Sequence, residues 1–493
     1  MPKKSLKKNF IFNFLYQIIL LGIPLVISPY LTRHLGEDAI GEYAYTYSIV
    51  SLFLIAINLG ISQYGTRKIA INSKEPEKVK KYFWEIFDLR IIVFSIVLMF
   101  YFLMIVFSND EEQTLYLIMI MVLASAVFDI TWFYNGLENF LNVIIKNVII
   151  RVMELVLIFL LVKSPGDLKK YTAIMSISVL IGSISLMPKA LKIVGFTKVS
   201  FKDILKHLKP ILILSISVIS ISIYSMLDKT ILGLYYPNDK SMIAFYEYAE
   251  KIVKIPNSII TTLALVIMPH ISKLISENKI EEVHSKAEKA NFLLYFLACG
   301  ACFGLCGISN ILIPLYYGEN FSICVEYIIA LSPIIIIIPM GAMVRNVYLI
   351  PYNKDIQYVS SMVAAAIVNL ILNFLLIRPL GVYGAIIGTV IAELIGLILQ
   401  LIFVRKQISV AIHIFNLIPF LLIGIATFFS IRVLQKVEMN IYLMLGLDFL
   451  VGTTTYLVLS CVYIIIFKKE YWNIIIEKIK KIIYKFTKGK HNK

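Results

Sequence analysis

Apolar runs of 18 or more residues recur from one end of the chain to the other. Each can cross a bilayer as a helix, which takes roughly 20 residues. The 493-residue chain is 59% hydrophobic and 16% charged, whereas a soluble domain is nearer 45–50% apolar and about 25% charged. Its longest polar connection is only about 20 residues, so no soluble domain fits. The fold class expected is an all-α, multi-pass integral membrane protein.

About fourteen spans are expected, centred from Leu20 to Tyr456. An even number places both termini on one side. Of the 47 lysines and arginines, about 32 fall on the side of the N-terminus, about 8 on the other side and about 7 within spans. By the positive-inside rule that side is cytoplasmic. Asp110, Glu111 and Glu112 agree with this as an outer turn; Lys163 to Lys170 is the awkward exception. The net charge of +16 is therefore mostly an orientation signal, and nucleic acid is excluded as a partner. Lys3, Lys4, Lys7 and Lys8 followed by an apolar run look like a signal peptide. The run from Phe10 to Leu31 is too long for one, so it reads as a retained first span, with Pro24 and Pro29 expected to break it. The basic tail, with Lys478, Lys480, Lys481 and Lys485, reads as an amphipathic helix on anionic headgroups.

Residues 40–50 (IGEYAYTYSIV) align without a gap on 243–253 (IAFYEYAEKIV). A shift of six spans preserves orientation, so the repeats are parallel. The expected organisation is two pseudo-symmetric six-helix lobes, 1–205 and 206–405, two extra helices in 406–467, and a basic cytoplasmic tail, 468–493.

Charges lie where hydrocarbon is expected. Between Ile211 and Pro269, two spans carry Asp228 and Lys229, then Glu247, Glu250, Lys251 and Lys254. A charge near mid-bilayer costs roughly 3 kcal/mol or more, so it usually faces protein or a water-filled cavity. Glu247 precedes Lys251 by four residues, as Glu250 precedes Lys254, the favourable order for helical ion pairs. Arg151, Glu154 and Glu393 sit near mid-span; Asp129 and Arg345 sit nearer inner ends, within snorkelling reach. Two readings stand for these charges: structural ion pairs, or the lining of a charged chamber. The six histidines show no ligand spacing and read as interface residues; Cys299, Cys302 and Cys306 read as small packing residues. No phosphate loop, metal spacing or large external loop suggests an enzyme.

Seven segments carry a family resemblance: PYLTRHLG (Pro29–Gly36), IGEYAY (Ile40–Tyr45), LGISQYGTRKIA (Leu59–Ala70), WFYNGLE (Trp132–Glu138), MLDKTILG (Met226–Gly233), YEYAEKIVKIP (Tyr246–Pro256) and RPLGVYGAIIGTVIAE (Arg378–Glu393). In this order and spacing the chain resembles the bacterial polysaccharide flippases, the O-antigen, capsule and teichoic-type exporters of the multidrug/oligosaccharidyl-lipid/polysaccharide exporter superfamily. Asn135 departs from the glutamine commoner in the fourth motif. The resemblance implies a two-lobed bundle of fourteen helices, opening alternately to each side of the plasma membrane. The cargo it implies is a polyprenyl-diphosphate-linked oligosaccharide for cell-surface polysaccharide. It carries cavity roles to Arg33, Lys229, Lys251 and Lys254; Arg345 joins them on depth and charge. Asp228, Glu247, Glu250 and Glu393 are expected to pair charges or to couple transport to a proton or sodium gradient, with no other cofactor. Membrane lipids and other polysaccharide-assembly proteins are the further partners. An ion-coupled multidrug or organic-cation antiporter is the nearest alternative. A membrane glycan polymerase or glycosyltransferase is the alternative of another class.

Overall fold

Backbone polar groups in hydrocarbon find no water, so a spanning segment has to bond its own N–H and C=O groups. The chain, described by a computed structural model, does this with helices throughout. The structure describes residues 22–108, 110–407, 410–470 and 472. The lysines of the N-terminus, most of the first apolar run and the basic tail lie outside them.

In chain order the helices are α1 (22–34), α2 (Gly36–Asn58), α3 (Ile61–Asn72), α4 (Pro76–Val106), α5 (Asp110–Phe128), α6 (Thr131–Gly136), α7 (Phe140–Leu161), α8 (Leu168–Ile184), α9 (Met187–Val194) and α10 (Phe201–Leu205). There follow α11 (Leu208–Tyr235), α12 (Ser241–Ser276), α13 (Ile280–Tyr317), α14 (Cys324–Leu331), α15 (Ile334–Val344), α16 (Asp355–Leu380), α17 (Val382–Val404), α18 (Val410–Leu434) and α19 (Ile441–Phe467). Among the described residues ten helices are long and apolar enough to cross a membrane, or eleven if the pair bent by 42° between Leu331 and Ile334 is one span. α7 and α11, of 22 and 28 residues, also have spanning length, but α7 carries Lys146, Arg151 and Glu154.

Local chemistry sets the breaks. Gly36 and Gly381, at φ +79° and +57°, turn the chain between α1 and α2 and between α16 and α17. Pro76 opens α4, where its missing N–H costs nothing. The Asn440 side chain accepts from the Tyr442 N–H at 3.0 Å and caps α19. The expected break at Pro29 does not occur, since residues 22–34 are one helix, and the turn that precedes Pro24 lies outside the described residues. Pro29 has no N–H for the Leu25 carbonyl, and the Tyr316 hydroxyl donates to that carbonyl instead.

Two compact units divide the chain. The first holds Met1–Lys251, Pro314–Tyr327 and Val359–Ile395. Its apolar core has two parts. One gathers Phe83, Phe87, Trp132, Phe133 and Tyr134 from α4 and α6 around Ile61 and Ile69 of α3. The other joins Val50 and Ile57 of α2 to Tyr101, Tyr116, Met119 and Leu123 of α4 and α5. The second unit holds Ile252–Ile313, Ile328–Tyr358 and Gly396–Lys493. There the Tyr456 hydroxyl donates to the Phe296 carbonyl at 2.6 Å, and Gln435 bridges the Gly307 carbonyl and Asp448.

Helix packing in the first unit tolerates no extra atom at Gly41, where a Cβ would lie 1.8 Å from the Lys240 carbonyl oxygen. Overpacking of this kind costs typically 1–3 kcal/mol, and a backbone obstacle cannot rotate away. Gly41→Ala is expected to lower the melting temperature of the purified protein in detergent by several degrees. Gly304→Ala, with nothing within 4 Å, is the matched control and is expected to leave it unchanged.

Candidate functional site

The sequence of α7 is two-faced. Ile145, Ile149, Val152, Val156 and Leu160 form an exposed apolar stripe suited to lipid. Lys146, Asn147, Ile150, Arg151 and Glu154, at helical spacing, form the opposite stripe and line a cavity of about 530 Å³ inside the first unit. α2 contributes Tyr43, Tyr47, Leu54 and Asn58; α5 and the residue after it contribute Ser125 and Asp129; α8 contributes Tyr171, Met175 and Ser183; α12 contributes Glu247 and Lys251. The lining has three cations, Lys146, Arg151 and Lys251, and three carboxylates, Asp129, Glu154 and Glu247. An aromatic wall stands beside them. Tyr43 meets Tyr171 edge-on at 4.7 Å and stacks on Tyr47 at 5.8 Å.

Most of these charges are paired. Arg151 reaches Glu154 at 2.8 Å. Lys251 reaches Glu247 at 2.7 Å, the i,i+4 pair read from the sequence, and lies 4.2 Å from the Tyr248 ring centre. Lys229 lies behind, its side chain only 11% exposed, held at 3.4 Å by Glu247 and at 3.4 Å by Glu250. So α11 and α12 lock a buried ammonium between two carboxylates, and Glu247 links that lock to the cavity through Lys251.

Asp228, next in sequence to Lys229, joins a different group. It accepts from Tyr246 Oη at 2.6 Å, from Thr389 Oγ1 at 2.7 Å and from the Asn373 amide. Asn373 also donates to Asn369 Oδ1 at 3.1 Å. Asp228, Tyr246, Asn369, Asn373 and Thr389 are all buried, and Asn373 Oδ1 accepts no hydrogen bond. A carboxylate, amide oxygens and hydroxyls are hard donors of the kind that hold small oxygen-seeking cations. Among the described residues no three His, Cys, Asp or Glu side chains gather as a metal site.

The other expected residues are dispersed. Arg33 is exposed and donates to the Leu315 carbonyl at 2.7 Å, outside the cavity lining. Glu393 is half-buried on α17. Lys254, exposed, and Arg345, whose guanidinium stacks 5.3 Å from the Tyr358 ring centre, belong to the second unit.

Three features escaped the sequence reading. Lys146 lines the cavity, and its i,i+4,i+8 spacing with Ile150 and Glu154 was the available signal. Arg90, fully buried, donates to the Asp129 carbonyl and to Asn58 Oδ1 at 3.2 Å, fixing two lining residues from behind. His207, which drew no partner from the sequence, is buried between Glu85 Oε2, at 2.7 Å, and Tyr64 Oη, at 2.6 Å. Nearby, outside the spans, hydrogen bonds from Lys206 and Lys81 hold the Asp203 carboxyl below the usual carboxylate range.

Comparison with known proteins gives four findings. The sequence profile of the family described as "Polysaccharide biosynthesis protein" matches residues 6–275. The chain is 24% identical over 402 residues to a "Putative O-antigen transporter" of Shigella dysenteriae, covering 80% of this chain and 99% of that one. It is 23% identical over 414 residues to the protein of the same description in Escherichia coli (strain K12), covering 82% and 98%. The solved structure titled "Lipid II flippase MurJ, inward closed conformation" shares the fold, with a TM-score of 0.71 at 18% identity over 92% of this chain and 98% of that one.

Removing one partner of a buried ion pair costs about 3–5 kcal/mol, because the other charge is left in low dielectric. Glu247→Ala strands part of the charge of Lys229 and is expected to lower the melting temperature sharply. Glu77→Ala, whose partner Lys80 lies on an exposed helix end, is expected to change it little. Equal effects of the two substitutions would contradict the buried lock.

Proposed function

The chain belongs to the polysaccharide biosynthesis protein family, and from that premise we propose that it carries a polyprenyl-diphosphate-linked oligosaccharide from the inner to the outer leaflet of the plasma membrane. It is a multi-pass membrane transporter, and its action moves a lipid-linked glycan rather than making or breaking a covalent bond. The observation that carries the finer reading is the cavity of about 530 Å³, charged and lined with tyrosine, in a chain otherwise apolar enough to span a membrane many times. Passing a diphosphate and sugar hydroxyls through hydrocarbon strips them of water at prohibitive cost. A polar cavity substitutes for that water, and paired charges keep the attraction moderate enough for release.

The architecture proposed with it is about fourteen spans. They are the eleven apolar ones, the charged α7 and α11, and the helix to which residues 22–34 belong. Two lobes, 1–205 and 206–405, alternate access, followed by helices in 406–467 and a cytoplasmic tail, 468–493. The repeat supports the lobes: residues 40–50 and 243–253 each lie near the start of a long helix, α2 and α12. Paired positions such as Ile40 and Ile243, Tyr45 and Tyr248, and Val50 and Val253 are buried in both. Lysine and arginine distribution supports cytoplasmic termini. Lys229, Lys251, Lys254, Arg33 and Arg345 are proposed to meet the cargo in the course of transport, with other polysaccharide-assembly proteins as partners.

The three cavity carboxylates favour one second reading, an ion-coupled organic-cation antiporter. The two separate in cells whose copy of the gene is inactivated: the glycan reading expects loss of surface polysaccharide with unchanged drug sensitivity, the antiporter reading the reverse. In the same cells Lys251→Ala and Lys254→Ala together are expected to reach the membrane and fail to restore surface polysaccharide. Normal polysaccharide would remove these lysines from the transport path.

Ion coupling is assigned to Asp228 rather than to Glu247 or Glu250, which are occupied by Lys229. Glu393 is left with charge pairing. Asp228→Asn keeps the shape of the buried group and removes its charge. In proteoliposomes it is expected to make transport insensitive to imposed proton and sodium gradients. Wild-type transport already indifferent to both gradients would overturn the coupling.

A further inference from the structure

Among the described residues the charges of the cavity pair off until one cation, Lys146, and one carboxylate, Asp129, are left. Arg151 is taken by Glu154, and Lys251 by Glu247, which also holds Lys229. The third carboxylate, Asp129, accepts from the Thr131 N–H at 3.1 Å and from its hydroxyl, starting α6. Asp129 and Arg151 both act on the Lys146 charge, in opposite senses, and no ion pair joins Lys146 to a described residue. The Lys146 ammonium therefore lines the cavity with no hydrogen bond or ion pair to any described residue. It stands on the seventh residue of α7, roughly 9 Å along the helix from Phe140. An ammonium so placed is tolerated only where water or an anion solvates it.

The cavity is also graded along its helices. On α7, Lys146 and Glu154 are two turns apart, about 12 Å. On α2, Asn58 and Tyr43 are four turns apart, about 22 Å. Arg90 ties Asn58 to Asp129, which marks the end nearer Lys146. Tyr43 and Tyr171 instead feel the charges of Glu154 and Glu247, and Tyr171 also that of Lys251. Among the described residues one end of the cavity thus offers an unpaired cation, and the other offers aromatic faces and carboxylates already paired with Arg151 and Lys251.

We propose that Lys146 is the anion-binding group of this cavity. It receives the phosphate-bearing end of the carried lipid and so directs the uncharged, hydroxyl-rich part toward Tyr43, Tyr47 and Tyr171. The proposal rests on the reading of the chain as a lipid-linked glycan carrier and deepens it. It predicts an order among the cavity cations. Arg151 and Lys251 must leave a carboxylate to bind an anion, whereas Lys146 breaks nothing.

The test uses the purified full-length protein in lipid nanodiscs and geranylgeranyl diphosphate as the probe. A charge-assisted contact supports about a tenfold or larger change in affinity. Lys146→Ala is expected to weaken binding about tenfold or more, and Lys146→Arg to hold it within about threefold of wild type. Lys189→Ala is expected to leave it unchanged, since Lys189 is exposed, donates to Asn142 at 2.8 Å and lies outside the lining. Geranylgeraniol, the uncharged analogue, is expected to bind Lys146→Ala and wild type alike. Undiminished binding of the diphosphate to Lys146→Ala overturns the proposal. So does an equal loss for geranylgeraniol, which reports repacking, and so does a wild-type protein that does not bind the diphosphate. The glycan-carrier reading fails separately, if gene inactivation leaves surface polysaccharide intact. If Lys146→Ala does not fold, Lys146→Gln replaces it with the same expectations.

Discussion

A charge placed in hydrocarbon needs either a partner or water, and the first unit is built on both answers. The translocation cost of an isolated lysine, roughly 3 kcal/mol, is comparable to a large part of the stability of a typical domain, so neither answer is optional. Lys229 takes the first: with its side chain 11% exposed, it lies between Glu247 and Glu250. Lys146 takes the second, at the wall of a polar cavity. Glu247 joins the two arrangements, since its other oxygen meets Lys251 at the cavity surface. The lock between α11 and α12 therefore fixes one wall of the chamber that Lys146 lines.

The same constraint explains why α7 looks as it does. A helix with apolar residues all round would sit anywhere in a bundle, and one with three charges would not enter lipid at all. α7 separates the two by angle. Its exposed stripe of Ile145, Ile149, Val152, Val156 and Leu160 suits hydrocarbon, while Lys146, Asn147 and Glu154 keep the polar side turned inward. Arg90 performs a related task from α4. It is buried, and its hydrogen bonds to Asn58 and to the Asp129 carbonyl hold the end of α2 and the start of α6 together. The cavity is thus a by-product of how charged helices satisfy themselves.

What could be read in advance divides by range. The helical, multi-pass class was legible because composition alone fixes it, and the Glu247–Lys251 pair because four residues is one helical turn. The angular stripe on α7 was equally local, yet Arg151 and Glu154 stayed open between a structural pair and a chamber lining, and Lys146 drew no expectation. Only the approach of Tyr43, Asp129 and Tyr171 from distant parts of the chain turns that stripe into a cavity wall. Asp228 and Lys229 show the same limit more sharply. Adjacent in sequence, they point to different neighbours. One enters a polar group with Asn373 and Thr389, more than 140 residues away, and the other an ion pair with α12. The continuity of α1 through Pro29 likewise depends on Tyr316, whose hydroxyl satisfies a carbonyl 291 residues earlier.

The central claim is that one face of α7 stands in water while the adjacent face stands in lipid. Single cysteines at positions 149 and 150, with the partly exposed Cys461 replaced by serine, test it most directly. The readout is the labelling rate with a water-soluble maleimide in membrane vesicles opened to both sides. Thiols react as thiolates, which need water around them. Ile150→Cys is expected to label at least about tenfold faster than Ile149→Cys, a difference of roughly 1.4 kcal/mol in accessibility. Equal rates, or faster labelling at position 149, would contradict the account.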